Sequence, residues 1–270
     1  MKQILLPFGA DNADVTPVSA AARFASRFDG HVTALFYPRL PDPVIVDPMS
    51  GGVVSYEGID EEVAAQREQA ETQFLAMKHA LPADLGGRVS VELERLSNWR
   101  QVGEESRIFD LTVVARATRS PHWQTLFEMA LFEGGRPVML TPEAWDKPFG
   151  DTVVVAWNRS TETARLIGQS LPILCSAKAV HIVELEGWYA SGPDGKALQS
   201  YLAGHGIKAE QHKSEAPNGP GAKMVEISRD LGADLMLKGA YTQSRLTQLI
   251  FGGATRQILD QADIPVIFAH

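Results

Sequence analysis

One pattern of strands and helices is written twice in this chain, and that repeat restricts its fold more than any other feature. Arg136-Pro-Val-Met-Leu140 lies over Ile264-Pro-Val-Ile-Phe268, and Phe109-Asp-Leu-Thr-Val-Val-Ala-Arg-Ala117 lies over Gly232-Ala-Asp-Leu-Met-Leu-Lys-Gly-Ala240. Self-similarity between two stretches in the same order means that one structural unit is used repeatedly. Over 270 residues it leaves two units, 1–144 and 145–270, each large enough to bury a core of its own. The join falls in Thr141-Pro-Glu-Ala-Trp-Asp-Lys-Pro-Phe-Gly150, where two prolines and a glycine separate the last strand of one copy from the first strand of the next.

Within each copy short apolar runs alternate with helical spacing. Ile4-Leu-Leu-Pro-Phe8 ends in Gly9 and a polar Asp11-Asn-Ala-Asp14 cluster, and Val18, Ala21, Ala22, Ala25 and Phe28 then follow on one helical face. His31 to Tyr37, Val89 to Leu93, Leu111 to Ala115 and Pro137 to Leu140 supply four further strands. Helices are expected from Asp60 to Leu81, Gly103 to Ile108 and Gln124 to Glu133, and a long loop from Pro38 to Gly58. The second copy repeats the order, with strands at Thr152–Trp157, Ala179–Val183, Ile207–Gln211, Asp234–Lys238 and Ile264–Phe268. Alternation with short connections predicts an α/β fold of two tandem doubly wound domains, each with a five-stranded parallel sheet covered on both faces.

Net charge is −8, so the summed field repels nucleic acid and anionic lipid, and neither is expected as a partner. No segment approaches the roughly 18 apolar residues of a membrane span, and the N-terminal apolar run is too short for a signal peptide, so the expected address is the cytoplasm. The single cysteine, Cys175, lies in the apolar stretch Leu171-Pro-Ile-Leu-Cys175 and reads as a buried structural thiol. His205 and His212 read as solvent-facing, His181 as a core or interface histidine, and Trp145, Trp157, Trp188 and Tyr189 as packing between the halves.

Ligands of open α/β sheets bind at the carboxyl ends of the strands. In the second copy this edge carries Asn158-Arg-Ser160, Gly239-Ala-Tyr-Thr242 and the pair Gly252-Gly253 that opens the last helix, whose N–H groups and dipole suit a phosphate. A strand ending in glycine, a loop, then glycine opening a helix into Ile-Pro-Val resembles the universal stress protein family, over nearly the whole chain and twice. The resemblance implies a flavodoxin-like or Rossmann-like fold of the adenine nucleotide alpha hydrolase type. It also implies pairing of the two copies through their last strands, as single-domain relatives pair in dimers. Laid on the nucleotide-binding pattern of that family, the candidate ligand residues are Asn158, Gly239, Thr242, Gly252, Gly253 and, one turn on, Thr255, with ATP or AMP as ligand. Thr242 stands where the pattern has glycine, Gly253 where it has a hydroxyl, and Asn158 where it has aspartate; Ser244 or Arg245 would compensate toward phosphate. In the first copy the corresponding positions are Arg116, Gln124, Thr125 and Gly9, which implies that this copy has lost its phosphate site.

No Gly-x-Ser-x-Gly elbow, Walker-type phosphate loop, His-Glu-x-x-His or cysteine pair is present, so no catalytic residue is assigned. The expected function is a non-catalytic stress-response or regulatory protein that binds an adenine nucleotide in its second half, with weak ATP hydrolysis left open. Two other readings stand beside it. One is a carrier of another small ligand, a metabolite or lipid, under the 38–58 loop. The other is a nucleotide-hydrolysing enzyme, opposed by the absence of a Ser-Gly-Gly-x-Asp-Ser loop after the first strand. A further homodimer is open.

Overall fold

The computed structural model describes residues 1–9, 16–39, 44–46, 53–55, 59–116, 122–142, 145, 147–217, 219–240 and 253–270. The first half contributes β1 (Gln3–Phe8), α1 (Thr16–Arg27), β2 (His31–Phe36), β3 (Val44–Val46), β4 (Val53–Ser55), α2 (Ile59–Ala80), α3 (Ala83–Gly86) and β5 (Val89–Glu92). It closes with α4 (Val102–Glu105), β6 (Leu111–Ala115), α5 (His122–Glu133) and β7 (Val138–Thr141). The second half runs β8 (Thr152–Ala156), α6 (Thr161–Gln169), α7 (Leu171–Ser176), β9 (Ala179–Leu185), α8 (Gly195–Gly204) and β10 (Ala209–Ser214). It ends with α9 (Pro220–Asp230), β11 (Leu235–Gly239), α10 (Ala254–Gln261) and β12 (Val266–Ala269).

Each half forms the expected five parallel strands, in the order β7-β6-β1-β2-β5 and β12-β11-β8-β9-β10. These do not stay apart. β7 pairs antiparallel with β12, Val138 opposite Phe268 and Leu140 opposite Val266, and one ten-stranded sheet results. All its other pairings are parallel, and the inner strands read as continuous apolar runs because helices cover both faces, whereas the edge strands β5 and β10 include polar residues.

The core is therefore divided by face of the sheet and not by half. Alternation along β1 sends Ile4 and Leu6 to one face and Leu5 to the other, and Leu235 and Leu237 separate from Met236 in the same way on β11. On the first face Phe24 of α1 stacks at 5.7 Å on Phe149, just beyond the join. On the second, Phe127 of α5 meets Phe268 of β12 edge-on at 5.2 Å. Arg27 adds a polar clasp, donating to Asp151 Oδ1 at 2.8 Å and to the Oγ of Ser176 at 3.0 Å.

Several expectations are corrected. The 38–58 loop holds a hairpin, β3 against β4, where β-branched valines and an isoleucine satisfy an antiparallel ladder; its remaining residues from 40 on lie outside the described residues. Cys175 is exposed, because Leu171-Pro-Ile-Leu-Cys175 is the short helix α7, which turns Ile173 and Leu174 inward. Trp188 and Tyr189 are exposed in the loop after β9, whereas Trp145 and Trp157 are buried. His205 is exposed as expected, but His212 is half-buried and lies against His181.

Candidate functional site

The carboxyl edge of the second half's sheet is shaped by the turn after β8 and by the end of β11. After β8 the chain makes the turn Trp157-Asn158-Arg159-Ser160 and enters α6, capped by Ser160, whose Oγ accepts from the Thr163 N–H at 3.3 Å. Asn158 Oδ1 accepts from Thr163 Oγ1 at 2.6 Å and from the Ser160 N–H at 3.3 Å. Both lone pairs of that oxygen are thus engaged within the turn. Arg159 adopts φ of +60° and turns toward β9, where its Nε meets Glu184 Oε1 at 2.9 Å and its guanidinium lies 3.7 Å from the centre of the Tyr189 ring. Glu184 is 2% exposed, and its other oxygen accepts from the Gly195 N–H and from Gln211, both at 2.9 Å. This buried carboxylate is fully hydrogen-bonded, and Arg159 is committed to it.

Gly239 ends β11 beside that turn. A Cβ there would lie 2.3 Å from Thr163 Oγ1 and 2.6 Å from the Thr163 nitrogen, so the glycine is required by the seat of α6 against the strand. The structure brings Asn158 and Gly239 together through Thr163. Gly253 caps α10 with ordinary extended dihedrals and no side-chain hydrogen bond, so among the described residues the N–H groups of that helix's first turn have no side-chain cap. Thr255 is buried within that first turn, at 4% exposure. Thr242, Ser244, Arg245 and Gly252 lie outside the described residues.

Sequence reasoning missed Lys238, which stood in the strand run as an unremarked residue. Its side chain is buried, at 7% exposure, on the last turn of strand before Gly239. Its Nζ donates to the Gly239 carbonyl oxygen, and among the described residues no carboxylate forms an ion pair with it. Burial lowers its pKa to about 8, against the weaker opposing pull of Glu162 in the first turn of α6. The signal that would have found it is the internal repeat read in the right register. Gly239 pairs with Ala269 as Ala115 pairs with Thr141, so Lys238 occupies the place of Val114.

That register corrects the equation of Arg116 with Gly239 by one residue. The fixed points are Asp110 and Asp234, which each accept backbone N–H groups at the start of their half's first strand, from Lys2 and Gln3 and from Gly150, Asp151 and Thr152. Arg116 instead crosses to the other half, where Nη1 donates to the Leu259 and Asp260 carbonyls at the end of α10, at 3.0 and 3.2 Å. Gly9 does stand where Asn158 stands, since Ile4 and Val153 hold equivalent registers, and the Tyr37 ring closes over it at 3.0 Å from where a Cβ would be.

No family model matches this sequence, and no curated protein matches it. Solved structures do. A universal stress protein from Archaeoglobus fulgidus is 14% identical, with 99% of this chain and 95% of that one covered and a TM-score of 0.71. A functionally unknown protein from Pseudomonas aeruginosa PAO1 is 16% identical over 100% of this chain and 92% of its own, with a TM-score of 0.60. The cytoplasmic domain of a prokaryotic cation chloride cotransporter is 12% identical over 99% and 94%, with a TM-score of 0.50. The chain thus has the fold of the universal stress proteins in tandem form, and that fold is also used by part of a transporter.

Proposed function

We propose that this chain is two universal-stress-type units, residues 1–144 and 145–270, that act as a non-catalytic regulatory protein binding one adenine nucleotide, ATP or AMP, per chain. The ligand sits at the carboxyl edge of the second half, between the Asn158 turn, the end of β11 and the start of α10. The observation that carries this reading is Lys238. A buried amine with no ion-pair partner among the described residues costs free energy, and the fold does not need it, because Val114 fills the equivalent position of the first half at 3% exposure. An anionic group bound at the strand end supplies the missing counter-charge, and a phosphate accepts from a lysine as from a point charge. The uncapped start of α10 favours the same sign of charge.

Isothermal titration of the intact chain with ATP and with AMP tests this. One site per chain is expected, weakened at least tenfold in Lys238→Met, with unchanged circular dichroism and no phosphate release at steady state. Equal binding by the variant would remove the site from this edge. Sustained phosphate release would overturn the non-catalytic reading.

A further inference from the structure

At the outer edge of the same half's sheet, on β9 and β10, two imidazoles and a carboxylate meet. β9 and β10 run parallel, with His181 opposite Glu210 and Val183 opposite His212. Val180 and Ile182 fill the core on one face of β9, and Ala209 does so on β10, so alternation places His181, Glu210 and His212 together on the opposite face. His181 Nδ1 lies 3.1 Å from His212 Nε2 and 3.7 Å from Glu210 Oε2, and the three donor atoms all fall within 4.8 Å of one another. The side chain of His181 is 11% exposed, that of Glu210 is 77% exposed, and His212 is half-buried.

We infer that His181, Glu210 and His212 form a binding site for one divalent transition-metal ion, of the zinc class. Tetrahedral zinc, with metal–ligand bonds of about 2.0–2.1 Å, holds its ligand atoms roughly 3.3 Å apart. The donors of this cluster therefore stand near chelating distance before any ion arrives. Two neutral imidazoles and one carboxylate suit zinc, cobalt, nickel or copper, whereas calcium and magnesium prefer all-oxygen shells. Glu210 opens the site to solvent, so a fourth position is left for water or an exogenous ligand. β10 is the last strand of the sheet, held by β9 alone. An ion shared by His181 and the two β10 ligands would fasten that edge. A hydrogen bond between the two rings is the competing account, and it requires no metal.

The test uses the full-length chain after treatment with a chelator. Titration with zinc, and with cobalt followed by its visible d–d absorption, is expected to show one ion per chain in tetrahedral or five-coordinate N/O surroundings, and zinc is expected to raise the melting temperature. His212→Gln and Glu210→Gln replace polar side chains on the edge strand and should fold as the parent does, checked by their metal-free melting temperatures. Each is expected to weaken zinc by at least the roughly 10–100-fold that even loss of an outer-shell partner brings. Lys238→Met should bind zinc as the parent does, which keeps this site separate from the nucleotide. Absence of stoichiometric zinc would overturn the inference, as would equal binding by His212→Gln, which would trace the metal to scattered surface histidines.

Discussion

Lys238 concentrates the tension between stability and binding in one residue. Its pKa is about 8 in the folded chain against 10.5 for the ordinary side chain. Below pH 8 the amine is charged in both the folded and unfolded states, and the full penalty of burying it acts. Between pH 8 and 10.5 the unfolded chain holds a proton that the folded chain has released, so stability rises with pH across that window. At about 1.4 kcal/mol per pH unit the whole effect is on the order of 3 kcal/mol. Lys238→Met should accordingly exceed the parent in stability by its widest margin at pH 7, and by less at pH 10. Urea denaturation of both proteins at the two pH values measures this; a margin that grows with pH would show that the amine is not buried as a charge.

Among the elements, α10 joins most of what is distinctive. Its start is the proposed phosphate end of the site, its buried face carries Thr255, Ile258 and Leu259, and its end is capped from the other half by Arg116. A cation on the last carbonyls of a helix satisfies acceptors that have no partner within the helix and complements the dipole, for about 0.3–1 kcal/mol. Arg116→Ala is expected to lose about that much, and amide exchange should quicken in the last turn of α10 before it does so in β11. Exchange that quickens equally everywhere would mean that Arg116 holds the two halves together and not this helix. The repeat made β11, β12 and the start of α10 legible in the sequence, because apolar runs and a Pro-Val pair at the start of the last strand recur in both copies. It did not disclose what Arg116 does, since a cross-half hydrogen bond leaves no periodicity in the chain.

For the whole molecule, the question is whether two repeated units behave as two. Both cores cross the join, through Phe24 on Phe149 and Phe127 on Phe268, and β7 pairs with β12 in the middle of one sheet. Neither half can unfold without exposing a sheet edge and aromatic surface of the other. Calorimetry of the intact chain should give one transition, with calorimetric and van't Hoff enthalpies equal. Two resolved transitions would show that the repeat folds as separate domains. The outer edges are β5 and β10, and no helix among the described residues is long and apolar enough to cross a membrane.

The sequence by itself determined the duplicated α/β pattern, the parallel strands and the edge at which to look for a ligand. Period and turn chemistry are local, and each apolar run carries its own record of them. Tertiary structure decided the rest: that Gly239 is small for the sake of Thr163, that Asn158 spends its oxygen on the α6 turn, that Lys238 is buried where Val114 is its twin, and that His181 and His212 are neighbours. Each of these depends on which residue of a distant segment lies opposite. Strand register sets that opposition, and a shift of one residue turns a side chain to the other face.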